Sequence, residues 1–177
     1  MEVFWTKGYE ATSLDDLCDA TGLSRSSLYA AFGDKRDLLL KSLDLYVERR
    51  TARIGQVLQR PPFRAALAAL LNEFIEGIVA GPGRRGCFIG NCAAELARQD
   101  RNAMARVRRS LLQNQEIIRE ALMQAKSRGE LGRNADLDAL ARFLTSSLQG
   151  LRLVGKVNPD RVMLEDVAAT ILRCLDT

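Results

Sequence analysis

The 177-residue sequence predicts an all-α protein. Apolar residues recur at intervals of three and four along nearly the whole chain, which is the spacing of one face of an α-helix, and no segment alternates as a half-buried strand does. Glycine and proline interrupt this pattern and divide the chain into about eight helices. The interruptions are Gly8, Gly22, Gly33, Pro61-Pro62, Gly81 to Gly86, Gly129 to Asn134, and Asn158-Pro159.

The lengths of the predicted helices divide the chain into two parts. Helices before about residue 45 are short, whereas later ones are long, such as the one from Arg101 to Arg128. We therefore expect an N-terminal head over residues 1–45 and a larger helical body over residues 46–177, joined inside a helix that begins near Asp34. A chain of this length is able to bury one large core or two small ones.

The composition argues against most catalytic chemistry. The chain has no histidine, the commonest general base and the commonest protein ligand for metals. We therefore expect no catalytic residue, no metal site and no cofactor. Its four cysteines fit no disulfide framework. Cys87 and Cys92 leave a redox-sensing role open, beside the alternative that they are buried, inert thiols.

Charge and hydropathy limit the possible partners. No apolar run approaches the roughly 20 residues that are needed to span a bilayer. The N-terminus lacks the cationic start and the following apolar stretch of a secretory signal. We therefore expect a cytoplasmic protein without a membrane partner. The net charge is +4, but residues 1–50 hold seven Lys and Arg against nine Asp and Glu. Charge alone does not mark this segment as a nucleic-acid binder, and only the geometry of its helices can indicate one.

The spacing of residues in the head predicts a helix-turn-helix. Ser13 is placed to cap one helix, with Asp16 three residues later at the capping-box position. Gly22 follows, where a left-handed residue ends a helix without a steric clash. Ser24 is placed to cap the next helix. Two helices joined by a turn of about three residues that contains glycine have the spacing of this motif.

The second helix of such a motif enters the major groove with its N-terminal residues leading. Leu28 and Phe32, four residues apart, would anchor the helix to the core, and Lys35 in the next helix would lie near a phosphate. Hydroxyl and guanidinium groups would face outward and donate to phosphates and base edges. These outward residues are Arg25, Ser26, Ser27 and Tyr29. The alternative is an ordinary helical hairpin with a solvated polar face.

The segment from Lys7 to Leu39 resembles the DNA-binding head of TetR-family transcriptional repressors. The residues in family register are Gly8-Tyr9, Thr12-Ser13, Leu17, Gly22, Ser24, Leu28-Tyr29, Phe32, Lys35 and Leu38. The resemblance implies a homodimeric repressor that leaves its double-stranded operator DNA when a small molecule binds the body. The positions that match DNA-contacting places in the family are Ser13, Arg25, Ser26, Ser27, Tyr29 and Lys35.

Two departures from the family pattern affect the head. Ala30 and Ala31 occupy places where relatives often carry polar or aromatic groups, so that direct reading of bases would be sparse. The family's first helix is also usually longer. Compared with it, this sequence begins at Met1 partway along a truncated first helix, without the basic arm that normally precedes it.

The body contains candidates for a ligand cavity. Asn114 and Gln115 fall on or beside the apolar stripe of the helix that begins at Arg101, and a buried amide needs a partner or a ligand. The aromatic candidates for the cavity wall are Phe63, Phe74 and Phe88. Because charged candidates are few, we expect a mostly apolar small-molecule effector. Plain core packing of these rings, and amides satisfied within the core or an interface, remain the alternatives.

The last two predicted helices, about Leu137 to Lys156 and Arg161 to Leu175, carry the dimer interface in the family that the head resembles. Two copies of the pair would form a four-helix bundle. The residues expected at this interface are Ala141, Leu144, Leu148, Leu151, Val167 and Ile171. The alternative is that these helices only close the core of the single chain.

The sequence is also compatible with a second function. In this alternative, the chain is a helical small-molecule carrier or an enzyme whose head does not bind DNA. The absence of histidine and of a paired-carboxylate motif disfavours an enzyme.

Overall fold

A computed structural model describes residues 1–176, and within them the fold is all-α, as the sequence predicts. Every regular element in this range is a helix. The elements are α1 Glu2–Lys7, α2 Leu14–Thr21, α3 Arg25–Phe32, α4 Lys35–Leu58, α5 Phe63–Ala80, a 3-10 turn at Pro82–Arg85, α6 Phe88–Leu96, α7 Arg101–Ser127, α8 Leu137–Val157 and α9 Arg161–Arg173.

The described residues form nine α-helices, one more than the breaks in the sequence indicate. The additional boundary separates α6 from α7, and neither glycine nor proline marks it. A polar cap marks it instead, because the Asp100 carboxylate accepts hydrogen bonds from the backbone N–H groups of Asn102 and Ala103 at 2.8 and 2.9 Å. The predicted start of this long helix at Arg101 is therefore confirmed, although no glycine or proline immediately precedes it.

The chain forms two compact units. We call the first the head unit, which comprises Met1–Arg49 and Phe88–Arg109, and the second the body unit, which comprises Arg50–Cys87 and the chain from Ser110 onward. The division expected from the sequence follows the chain at residue 45, whereas the contacts also group α6 and the start of α7 with the N-terminal helices. Helices α4 and α7 each contribute residues to both units.

The body unit has a continuous apolar core, centred on α5. Eight of the eighteen residues of α5 are buried apolar side chains, and α5 contacts both α8 and α9. Gly155 of α8 allows a close approach, because a Cβ atom at that position would lie 2.8 Å from Ile78. Among the described residues, no helix combines the length and the apolar composition that crossing a membrane requires.

Candidate nucleic-acid interface and ligand cavity

The turn between α2 and α3 has the geometry that the sequence predicts. Ser13 Oγ accepts from Asp16 N at 3.1 Å, and Asp16 Oδ2 accepts from Ser13 N at 2.9 Å, so the capping box is confirmed. Hydrogen bonds from Lys7 and Ser13 lower the pKa of Asp16 to about 2. Gly22 ends α2 in the left-handed region at φ 68°. A helix followed by this turn and by a second short helix is a helix-turn-helix.

One side of helix α3 is buried against the core, and the other side is exposed. The side chain of Leu28 is fully buried, whereas Tyr29 keeps 45% of its surface exposed. Ser24 Oγ caps the helix by accepting from Ser27 N at 3.2 Å. The structure thus brings four of the predicted DNA-contacting residues to one exposed helix end: Arg25, Ser26, Ser27 and Tyr29.

The start of α3 carries a cluster of hydroxyl groups. Ser24 Oγ lies 3.0 Å from Ser26 Oγ and 2.9 Å from Ser27 Oγ. Hydroxyl groups rotate to donate or accept, and the first turn of a helix has free backbone N–H groups and a partial positive charge. This end of α3 therefore suits an anion such as a backbone phosphate.

The guanidinium of Arg25 is held by a neighbouring acid. Its Nε and Nη2 atoms donate to the Asp15 carboxylate at distances of 2.6 to 3.0 Å. Both side chains are largely exposed. The pKa of Arg25 is raised, first by the hydrogen bonds that it donates to Asp15 and then by the negative charge of that carboxylate. Asp15 therefore positions Arg25 beside the start of α3 and also neutralises much of its charge.

Lys35, at the start of α4, contacts uncharged groups. Its Nζ atom lies 4.5 Å from the centroid of the Tyr9 ring and 3.4 Å from the backbone oxygen of Glu10. The Glu95 carboxylate fixes this loop by accepting from the backbone N–H groups of Tyr9 and Glu10 at 2.9 and 2.8 Å. Within residues 1–176, no ion pair with an acidic side chain cancels the charge of Lys35, which suits a phosphate ligand.

A small cavity lies inside the body unit, where α4, α5, α7 and α8 face one another. Its volume is about 20 Å³, which is room for one water. The lining residues are Ile54, Phe74, Asn114, Ile118, Thr145, Leu148, Gln149 and Arg152.

Two polar side chains in this cavity wall are more than nine-tenths buried. Asn114 and Arg152 each keep 8% of their surface. The Oδ1 atom of Asn114 is buried and has no hydrogen-bond partner among the described residues. The guanidinium carbon of Arg152 lies 5.3 Å from the centroid of the Phe74 ring, and that of Arg50 lies 3.9 Å from the same ring. The wall therefore combines an apolar surface with an unused acceptor and a buried cation.

Of the five residues predicted to bind a ligand, the structure brings only Phe74 and Asn114 together in this cavity. Phe63 is buried at the start of α5, where its backbone N–H donates to Glu130 at 2.6 Å. Gln115 is half-buried and lies outside the cavity wall. Phe88 belongs to the head unit and packs against Trp5 and Tyr46, with ring centroids 6.4 and 5.6 Å away.

Arg152 was not predicted from the sequence as a cavity residue, although its helical spacing indicates that position. Arg152 follows Leu148 by four residues and Thr145 by seven, so it lies on the inward stripe of α8. An arginine at a helix position is ordinarily exposed, which masks this periodicity. Thr145 and Gln149 were not predicted either, because polar residues on a helix are also ordinarily exposed.

The predicted dimer-interface residues differ in their exposure. Five of the six are buried inside the single chain, and only Val167 is exposed. A side chain packed in the core of its own chain has little surface left for a partner to contact, so the interface stays a prediction. The five buried residues are Ala141, Leu144, Leu148, Leu151 and Ile171.

The outward surface of α8 and α9 nevertheless carries a second apolar set. Phe143, Val154, Val157, Val162 and Val167 are all exposed, and Val157 keeps 82% of its surface. The shallow groove between the two helices includes Phe143, Val154 and Val167. Clustered exposure of large apolar side chains marks a surface that another molecule covers.

A helix-turn-helix whose second helix presents hydroxyl, phenol and guanidinium groups is the recognition unit of a DNA-binding protein. Comparison with known proteins identifies the class. Residues 1–41 match the family described as "Bacterial regulatory proteins, tetR family", and residues 64–171 match the family described as "Tetracyclin repressor-like, C-terminal domain". The chain belongs to the TetR family of DNA-binding transcriptional regulators, which are not enzymes.

Individual relatives are similar along almost the whole chain. The uncharacterised HTH-type transcriptional regulator YezE of Bacillus subtilis is 34% identical, over 99% of this chain and 92% of its own length. The HTH-type transcriptional repressor ComR of Escherichia coli is 30% identical, over 98% and 83%. A cysteine mutant of the TetR-family regulator CifR, solved with 26-base-pair operator DNA, is 29% identical with a TM-score of 0.87, over 97% and 91%.

Proposed function

We propose that this chain is a homodimeric repressor that binds double-stranded operator DNA through α3 and is released by a small molecule bound in the body unit. The observation that carries the proposal is the exposed polar end of α3 in front of the buried Leu28. The naming of ComR as a repressor and the operator complex of CifR support it. The protein would act on chromosomal DNA in the cytoplasm.

The head would contact DNA in two ways: some residues position the protein on the phosphates, and others read the base edges. Lys35, Ser13 and the hydroxyl groups at the start of α3 suit phosphates, which fix the register of a protein on the duplex. Tyr29 projects from the exposed side of α3 beside Arg25, and these two side chains have the reach to contact base edges. Ala30 and Ala31 are exposed on the same helix and offer only methyl groups. Base reading would thus depend on few side chains.

The outward surface of α8 and α9 is the proposed dimer interface. Its exposed side chains are apolar, and a second copy of the chain would bury the same residues from both sides. Two heads would then contact two half-sites about one helical turn of DNA apart, or a multiple of that distance.

Release requires that the effector and the operator bind preferentially to different states of the protein. Helices α4 and α7 are continuous through residues of both units, so a change in the body has covalent routes to the head. Coupling of this kind is reciprocal, and operator DNA would weaken effector binding by the factor by which the effector weakens DNA binding.

The experiment compares Lys35→Ala with Arg142→Ala, which removes one positive charge from an exposed position of the body unit. Binding to the DNA flanking the gene and to an unrelated duplex is measured by fluorescence anisotropy at several salt concentrations. Lys35→Ala should weaken both complexes equally and reduce the salt slope by about one for each bound head, which is about two for the dimer, whereas Arg142→Ala should change neither.

Two outcomes would contradict the proposal. Loss confined to one operator position would remove Lys35 from the phosphate contacts. A wild-type protein that binds neither duplex, together with turnover or carriage of a metabolite, would favour the helical carrier or enzyme whose head does not bind DNA.

A further inference from the structure

We propose that the effector is a small organic anion, a carboxylate of about one ring in size that also carries a hydrogen-bond donor, bound between Arg152 and Asn114. Calling this ligand the effector rests on the proposed function. Its binding does not, because binding is measurable without DNA. This ligand class differs from the mostly apolar small molecule that the sequence predicts.

The charge of the cavity wall indicates an anion. Arg152 is buried, lines the cavity, and stays protonated under all ordinary conditions. None of the described residues that line the cavity is acidic. A guanidinium presents paired N–H groups in a fixed plane, which match the two oxygens of a carboxylate. An anion entering the cavity therefore meets a partner already removed from most of the solvent.

The unused acceptor indicates a donor on the ligand. Asn114 Oδ1 is buried, and no group in residues 1–176 donates a hydrogen bond to it, which is costly in a protein interior. Thr145 cannot supply the missing proton, because its hydroxyl already donates to the Ala141 backbone oxygen at 2.8 Å. A hydroxyl or amine N–H on the ligand would satisfy the acceptor. A site built to receive a hydrogen bond discriminates against analogues that lack the donor.

The remaining wall sets the apolar part of the ligand. Ile54, Ile118 and Leu148 provide aliphatic contacts, and the Phe74 ring provides a flat surface. The cavity of about 20 Å³ holds one water. A molecule of one ring therefore requires that the Arg152 guanidinium move from the Phe74 ring onto the ligand's carboxylate and that the surrounding side chains move apart.

The test uses four probes on the free protein. Meta-hydroxybenzoate has both proposed features, benzoate lacks the donor, meta-hydroxybenzyl alcohol lacks the charge, and meta-hydroxybenzylamine reverses it. Affinity is measured by isothermal titration calorimetry, with the shift in Tm as a second readout. We expect meta-hydroxybenzoate to bind tightest and benzoate about two- to tenfold more weakly. The alcohol and the amine should not raise Tm.

Variants assign the two contacts separately. Arg152→Met should weaken meta-hydroxybenzoate at least about tenfold, and Arg152→Lys should give an intermediate loss. The ligand-free Tm of every variant is measured beside the affinities, so that a loss of folding is distinguished from the loss of one contact. Asn114→Leu should abolish the preference for meta-hydroxybenzoate over benzoate. Arg142→Met, on the exposed side of α8, is the matched control and should leave all affinities unchanged.

Three results would overturn the inference: equal binding of the alcohol and the carboxylate, unchanged affinity in Arg152→Met, or no binding of any probe. None of these results bears on the proposed function, which the DNA titrations with Lys35→Ala test on their own. Conversely, tight anion binding without any effect on DNA binding would leave the site in place and remove its role in release.

Discussion

Arg36 and Asp100 form a two-point ion pair in the head unit, with Arg36 Nε 2.5 Å from Asp100 Oδ2 and Nη2 2.9 Å from Oδ1. The same carboxylate accepts the backbone N–H groups of Asn102 and Ala103. One aspartate therefore caps α7 and holds the first turn of α4, the helix that follows α3. Because Lys35 precedes Arg36 in that turn, this pair also bears on where the phosphate contact lies.

Two substitutions at Asp100 should separate the cap from the ion pair. Asp100→Asn keeps an oxygen that can cap α7 but loses the charge, whereas Asp100→Ala loses both. We expect Asp100→Ala to lower the free energy of unfolding by about 1 kcal/mol through the lost cap, and Asp100→Asn to have a smaller effect. Urea denaturation monitored by circular dichroism measures both. Equal losses would show that the charge, rather than the cap, is the larger contribution.

The Asp100 carboxyl should also contribute to acid denaturation. Its pKa is lowered from 3.8 to about 2, first by the hydrogen bond from Arg36 and then by the backbone N–H groups at the start of α7. Since the folded state holds the proton less tightly, the contribution to stability is complete above about pH 4 and declines as the pH falls toward 2. Unfolding free energies between pH 5 and 2 should therefore decline less steeply in Asp100→Asn than in wild type. Parallel curves would contradict the assignment.

Removing the acid that holds Arg25 should strengthen DNA binding. Asp15→Asn frees the guanidinium and deletes a negative charge beside the start of α3. We expect tighter binding to all duplexes and a salt slope larger by about one unit for each bound head, while Arg25→Ala should weaken binding. Asp138→Asn in the body unit makes the same change of charge as a control. If Asp15→Asn and the control behave alike, this pair lies away from the DNA.

The two apolar faces of the last helices predict opposite consequences for a new charge. Val154→Asp should yield folded monomers, because Val154 is exposed in the single chain. Leu148→Asp should instead unfold the body, since it would bury an unpaired charge in the core. Light scattering measures the mass, and circular dichroism reports folding. A folded dimer of Val154→Asp would place the interface elsewhere.

Much of the head could be predicted from the sequence because its determinants are local. Ser13, Asp16, Gly22 and Ser24 act on backbone groups within four residues, so the capping box, the left-handed turn and the start of α3 all follow from spacing. Leu28 is buried where the helical period places it. The contacts that position Lys35 were not predictable, because Glu95 reaches the 9–10 loop from 85 residues away along the chain.

In the body, the sequence by itself determined that the segments are helical and amphipathic, and that Asn114 lies on a buried stripe. Only the tertiary structure decided which stripe faces the core of the same chain. It placed Leu148 inside and Val154 outside, and it brought Arg152 to the Asn114 cavity. The physical reason is that helical periodicity specifies a direction around a helix axis. What lies in that direction depends on helices that are distant in the sequence.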